Sequence, residues 1–357
     1  MTFLSDLQQL VECQSPSEDL DACETVIELA IKICSENLSE SAKVFEESGR
    51  PVFWWGSDEP EIVLLCHLDT VWPMDSYLPL WRTDGDRIYG PGIFDMKAGF
   101  LIAMYALKEI PHAGKKIALV ATTDEEIGSH ASRSLIQRIA QRSKATLVFE
   151  SSIDGAVKIG RKGTSMYRIT IEGRAAHAGL EPEKGINATT EIARIALAMA
   201  ALENPAHGTT VVPTFMQSGT TTNTVPAIAT LDIDARSFLA AELVRVDNAI
   251  RALTTAHPEA RLEISGGINR PPLEHTATKD LYDRIESVAT SLGMPPVGHA
   301  SVGGASDGNI AAAVGAQVLD GLGASGNGAH AAHEHIVIKT IPDRITLIAG
   351  LLKDLIS

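Results

Sequence analysis

A chain of 357 residues exceeds what one hydrophobic core usually serves, so two domains are expected, and 45% hydrophobic with 21% charged residues excludes a disordered or membrane-embedded chain. Thirty basic against 45 acidic residues give a formal charge of -15, which argues against nucleic acid and anionic membranes as partners; an anionic substrate would need local cations to hold it. The four cysteines, Cys13, Cys23, Cys34 and Cys66, form no C-x-x-C pair and lie in apolar periodic segments, as reduced, packed thiols do.

The N-terminal "MTFLSDLQQLVECQ" has neither the basic nor the apolar region of a secretory signal, which points to the cytoplasm. Over the first 160 or so residues, the continuous apolar runs "EIVLLC", "KKIALVATT" and "ATLVFE" read as buried strands. Between and after them, "MKAGFLIAMYALKEI" and "SRSLIQRIAQ" have helical spacing. This pattern predicts an α/β domain with a mostly parallel sheet and helices on both faces. From 163 to 269 the strands lengthen and alternate, as in "SMYRITIEG" and "AIATLDIDAR", separated by the helical "NATTEIARIALAMAAL" and "AAELVRVDNAIRAL". That stretch predicts an α+β unit. After "NRPPLE" the chain returns to helix, a short strand in "AQVLDGLG" and a closing helix, so the unit at 163–269 reads as an insertion into a domain made of 1–162 and 270–357.

Metal-ligating residue types fall at the predicted strand ends: His67 and Asp69 in "CHLDTVWP", Asp95 in "GPGIFDMKAG", Glu125 and Glu126 in "TTDEEIGS", and Glu150 after "ATLVF". In an open α/β sheet, the loops at the carboxyl ends of strands converge on one crevice. Any one of these acids alone reads as a solvated loop residue; six such groups at one edge point to a site. Imidazole nitrogen with carboxylate oxygen suits zinc, and a bridging carboxylate would hold two ions about 3.5 to 4 Å apart. Asp69 is placed to accept the second ring N–H of His67. Of the adjacent Glu125 and Glu126, one can bind metal while the other serves as a general base. The run "GNGAHAAHEHI" offers His330, His333 and His335 as a further nitrogen ligand.

"HLDTVWP", "GPGIFDMKAG", "TTDEEIGS", "GRAAHAGLEPEKGINA", "TNTVPAIATLDIDAR", "GGASDGN" and "GAHAAHE" follow one another in an order and spacing that resembles the dinuclear zinc family of carboxypeptidase G (glutamate carboxypeptidase), acetylornithine deacetylase, succinyl-diaminopimelate desuccinylase and aminoacylase. "HLDTVWP" and "YGPGIFDMKAG" look most like the carboxypeptidase G branch. The resemblance implies that 1–162 and 270–357 form a zinc-binding catalytic domain and 163–269 a lid and dimerisation domain. It further implies two Zn2+ per chain, with Co2+ or Mn2+ as substitutes. His67 and Glu150 would ligate the first ion, Glu126 the second, and Asp95 both, with a cis peptide between Asp95 and Met96. Asp69 would orient His67, and Glu125 would be the general base. The family's last histidine follows a glycine-rich turn and precedes a glutamate by four or five residues, which favours His330, with Glu334 after it.

In the inserted domain, His177 resembles the histidine that reaches into the partner subunit's active site and donates to the oxyanion. Asn223 resembles a substrate-contacting amide, with Thr224 standing where an apolar residue is common. Arg270 aligns with the arginine that clamps the substrate's α-carboxylate, and Gly304 would allow close backbone approach there. The implied activity is zinc-dependent hydrolysis of the amide that joins an acyl or peptidyl group to a C-terminal amino acid, glutamate above all. The alternative is an N-acyl-amino-acid deacylase acting on acetylornithine, succinyl-diaminopimelate or a similar compound, and a more remote one is a non-catalytic binding protein on the same fold. The implied partners are a small N-acyl amino acid or short peptide and a second copy of the chain.

Overall fold

The computed structural model describes residues 2–357 except positions 39 and 113. It divides into two compact units, one of residues 1–160, 274–302 and 306–357, the other of 161–273 and 303–305. The chain leaves the first unit after Gly160 and returns at Glu274, rather than at 162/163 and 269/270, so Arg270 and Gly304 group with the second unit and not with the first, where their sequence position had put them.

In the first unit a six-stranded sheet runs in the order Lys43–Glu47, Arg50–Gly56, Ile117–Thr122, Ile62–His67, Ala145–Val148, Val318–Leu319. Arg50–Gly56 pairs antiparallel with both its neighbours, the edge strand Lys43–Glu47 and Ile117–Thr122, and the last four strands are mutually parallel. Every residue of Ile62–His67, Ile117–Thr122 and Ala145–Val148 is buried, which explains why these strands read as unbroken apolar runs. Ile62, Leu64 and Cys66 join the main core with Phe100, Leu101 and Leu351. Val63 and Leu65 point the other way and are buried too, which requires cover on both faces. Helix Ala98–Lys108 is apolar almost all round because it packs against both the closing helix Ile341–Ile356 and the sheet.

The second unit is a four-stranded antiparallel sheet in the order Thr210–Ser218, Ile228–Ser237, Gly163–Glu172, Arg261–Arg270. Here burial alternates along Gly163–Glu172 and Ile228–Ser237. Ile169, Ile171, Leu231 and Ile233 face a core shared with Ile192 and Ile195 of helix Ala188–Ala198 and Val246 and Ile250 of helix Ala240–Arg251. The opposite face carries Arg168 and Asp232, paired at 2.7 Å. One covered face and one polar face account for the switch from continuous to alternating pattern. No helix among the described residues is long and apolar enough to cross a membrane.

Candidate metal centre

The parallel register decides which side chains meet. His67 ends its strand opposite Thr122, and Leu65 stands opposite Val148. The chain runs on from Thr122 into the tight turn Glu125–Ile127, and from Val148 to Glu150, so these carboxylates leave the sheet at the edge where His67 does.

Both oxygens of Asp95 are used, on different partners. Oδ1 lies 3.4 Å from His67 Nε2, and Oδ2 lies 3.3 Å from His330 Nε2. Glu150 Oε1 is 3.7 Å from that His67 nitrogen, and Glu126 Oε2 is 3.0 Å from His330 Nε2. Two nitrogen–carboxylate pairs thus share one aspartate. One donor atom each from His67, Asp95 and Glu126 also lie within 4.8 Å of one another. The Asp95–Met96 peptide is cis, as the resemblance implied. His333 is exposed, and His335 stacks against Tyr89 with its Nδ1 2.8 Å from the His333 carbonyl, so of the three candidates only His330 joins the cluster.

His67 Nε2 is the test of whether these residues fit a metal. It is buried and makes no good hydrogen bond among the described residues, because its nearest carboxylate oxygens stand at 3.4 and 3.7 Å. A divalent cation coordinated by nitrogen and carboxylates together would satisfy them all, and the donor set matches zinc. The charge balance agrees. Burial disfavours a charged imidazole, yet Asp69 and Asp95 hold His67 well above its usual range. Burial pushes Glu126 up to about 8 against the hydrogen bond from His330, and hydrogen bonds to Asp95 and Glu126 raise His330 to about 10. So much carboxylate in a buried site calls for positive charge.

Asp69 is fully buried and serves four neighbours, the Glu125 backbone N–H at 3.4 Å among them. Its Oδ1 is 3.3 Å from His67 Nδ1, while its carboxylate accepts the Ser17 hydroxyl at 2.7 Å and the Glu126 backbone N–H at 3.2 Å. One group therefore fixes the His67 ring and the start of the Glu125–Ile127 turn. Glu125 itself is half-buried on that turn.

The remaining expected residues lie in the second unit. His177 is exposed on a short ribbon, Ala176–His177 against Thr224–Val225, and its Nδ1 accepts the backbone N–H groups of Gly179 and Leu180, both at 3.1 Å. A neutral ring so held carries its proton on Nε2. Asn223 lies in the turn just before Thr224–Val225, its backbone carbonyl accepting the Ala178 N–H at 2.8 Å. Arg270 is buried at the end of Arg261–Arg270, just past a register shift. Gly304 accepts from Arg161 Nη1 at 3.2 Å, and a Cβ there would meet nothing within 4 Å, so packing within the protein does not itself demand a glycine.

The model of peptidase family M20/M25/M40 matches residues 63–354. The chain belongs to that family. Carboxypeptidase G2 of Pseudomonas sp. (strain RS-16) is 31% identical over 311 residues, which span 84% of this chain and 75% of that protein. Succinyl-diaminopimelate desuccinylase 2 of Shewanella loihica is 26% identical over 79% of this chain and 81% of its own length. Among solved structures, the aminopeptidase PepT of Bacillus cereus superposes with a TM-score of 0.78 at 21% identity, covering 99% of this chain and 98% of that one, a likeness of fold. This member of M20/M25/M40 is accordingly a hydrolase with the two-part architecture of its neighbours.

Three residues of this M20 hydrolase escaped the reading of its sequence as anything but spacing. Glu334, fully buried, accepts the backbone N–H groups of Gly92, Phe94 and Asp95 at 3.1, 3.0 and 3.1 Å and the Trp72 indole N–H at 3.0 Å. It ties the loop that carries Asp95 to the loop that carries His330. Burial, resisted by these donors, leaves it at about 7. Lys97 is buried with Nζ on the carbonyls of Leu10 and Cys13, at 2.9 and 2.8 Å, and burial lowers it to about 8. Ser17 is the third. A glutamate four residues after His330 and a lysine inside an apolar helix start were the available signals; nothing marked Ser17.

Proposed function

We propose that this M20 hydrolase is a dinuclear zinc metallopeptidase or amidohydrolase that releases a C-terminal amino acid, glutamate first among the candidates, from an acyl or peptidyl group. The observation that carries the reading is the engagement of each Asp95 oxygen by a separate histidine, which suits a bridging carboxylate. His67 and Glu150 would hold one ion, Glu126 and His330 the other, and Asp69 the His67 ring. When bound, the ions supply Lewis-acid polarisation of the scissile carbonyl and acidify a water.

The chain's own residues do the rest. Glu125 takes the proton of the attacking water and returns it to the leaving amine. His177 donates its Nε2–H to the developing oxyanion. Arg270 grips the substrate's α-carboxylate with two parallel N–H donors and supplies the local cation that an anionic substrate needs on a chain of charge -15; Asn223 and Gly304 add polar contacts. His177 is assigned to the active site of a second copy, so the active species in this reading is a cytoplasmic homodimer formed through the inserted domain. Similarity to carboxypeptidase G2 supports glutamate as the released residue, while similarity to the desuccinylase supports deacylation of a biosynthetic intermediate as the second reading.

Initial rates on one acyl group joined in turn to glutamate, aspartate, ornithine, diaminopimelate and leucine, with and without chelator, separate the two. The reading expects chelator-sensitive turnover led by glutamate. Preference for ornithine or diaminopimelate would move the protein to the deacylase branch, and chelator-insensitive turnover would overturn the metal assignment.

A further inference from the structure

An open cavity of about 750 Å3 in the first unit is lined by Glu126 of the metal centre, by its neighbour Ile127 and by the segments around Ser17 and Thr70. Ser17 donates its backbone N–H to the Thr70 carbonyl at 3.2 Å and its hydroxyl to Asp69, so the cavity wall is continuous with the clasp that holds His67. Three of its lining side chains are large, apolar and exposed: Leu20 at 44%, Val71 at 39% and Met74 at 49%. Isolated exposed aliphatics are ordinary, but three on the wall of one cavity beside a proposed reaction centre form a surface that a ligand would cover.

The charge around it has one sign. Glu18, Asp19 and Asp21 line the cavity, and no lysine, arginine or histidine does among the described residues. The start of helix Leu20–Asn37 does not alter this, since Asp19 accepts the Ala22 N–H at 3.0 Å and Asp21 adds negative charge to the same turn. Exposed carboxylates are screened by salt and attract a cation only weakly, whereas apolar burial is not screened; a like-charged ligand still meets repulsion.

We propose that this cavity is the subsite for the acyl side of the scissile amide, and that it takes a bulky, neutral, apolar acyl group and discriminates against an anionic one such as succinyl. The inference rests on the amide-hydrolase reading above, in which Arg270 holds the leaving amino acid, and it argues against desuccinylation as the reaction of this chain.

The test is kcat/KM of the zinc-loaded protein on benzoyl, acetyl, succinyl and lysyl groups, each joined to glutamate and separately to leucine. The expected result is benzoyl above acetyl, with succinyl lower than benzoyl by about tenfold or more. Replacing Leu20→Lys or Met74→Lys, both at exposed positions, should shift the succinyl-to-benzoyl ratio towards succinyl by about threefold or more. Binding of benzoylglutamate and succinylglutamate to the Glu125→Gln variant, read by calorimetry, should follow the same order. Succinyl or lysyl turned over as fast as benzoyl, or a ratio unmoved by both lysine variants, would overturn the subsite assignment while leaving the reaction standing. Absence of turnover and of binding across the whole panel would overturn the amide-hydrolase reading and the subsite with it.

Discussion

At the scale of single residues, the centre separates groups that do chemistry from groups that aim them. Glu125 is assigned the proton, so Glu125→Gln should lower kcat by about 10²- to 10⁴-fold while metal content stays at the wild-type value. Mass-spectrometric metal analysis beside steady-state kinetics checks both halves, and unchanged turnover would remove Glu125 from the mechanism. Glu334 is an aiming group that touches three backbone N–H donors of the Asp95 loop. Glu334→Gln turns a donor towards those N–H groups and should weaken zinc affinity by about 10- to 100-fold, measured by competition with a calibrated chelator. Wild-type affinity in that variant would mean the loop holds its shape without the carboxylate. The aiming groups were poorly legible in the sequence for a physical reason. Ligands come from a short list of residue types, histidine, carboxylate and cysteine, and therefore announce themselves, whereas a hydroxyl such as Ser17 becomes recognisable only when the partner it satisfies is known.

At the scale of elements, burial on both faces made the strand Ile62–His67 readable as an apolar run with a polar stop, and the alternation in Ile228–Ser237 marked the change of architecture just as directly. What periodicity could not deliver was where the inserted unit ends, because Arg261–Arg270 is a single strand whose last residue looks like the start of the next segment. Strand pairing with Gly163–Glu172 decides it. The start of helix Ala98–Lys108 carries a sharper constraint: a Cβ on Gly99 would come to 2.0 Å from the carbonyl oxygen of Phe149, the residue before Glu150. Gly99→Ala must therefore push the helix away from the strand end. The expected outcome is a lowered melting temperature together with reduced zinc affinity, since Glu150 moves with its backbone; a variant with the wild-type values of both would show that the helix start yields at no cost to the site.

At the scale of the whole molecule, the two units carry different duties in the proposed mechanism, metal and proton transfer in the first and substrate and oxyanion contacts in the second. If His177 serves a second copy, light scattering during size exclusion should give about twice the chain mass for the active species, and mixing an inactive Glu125→Gln protein with an inactive His177→Ala protein should restore part of the activity through mixed dimers. An active monomer would end that assignment. Zinc that binds the folded chain should also raise its melting temperature in a concentration-dependent way. The most direct measurement is zinc per chain after equilibration at limiting free metal, for the wild type and for Asp95→Ala. The bridging role of Asp95 predicts about two ions per chain in the wild type and loss of both in the variant; one ion in the wild type, or a variant that loses none, would contradict it.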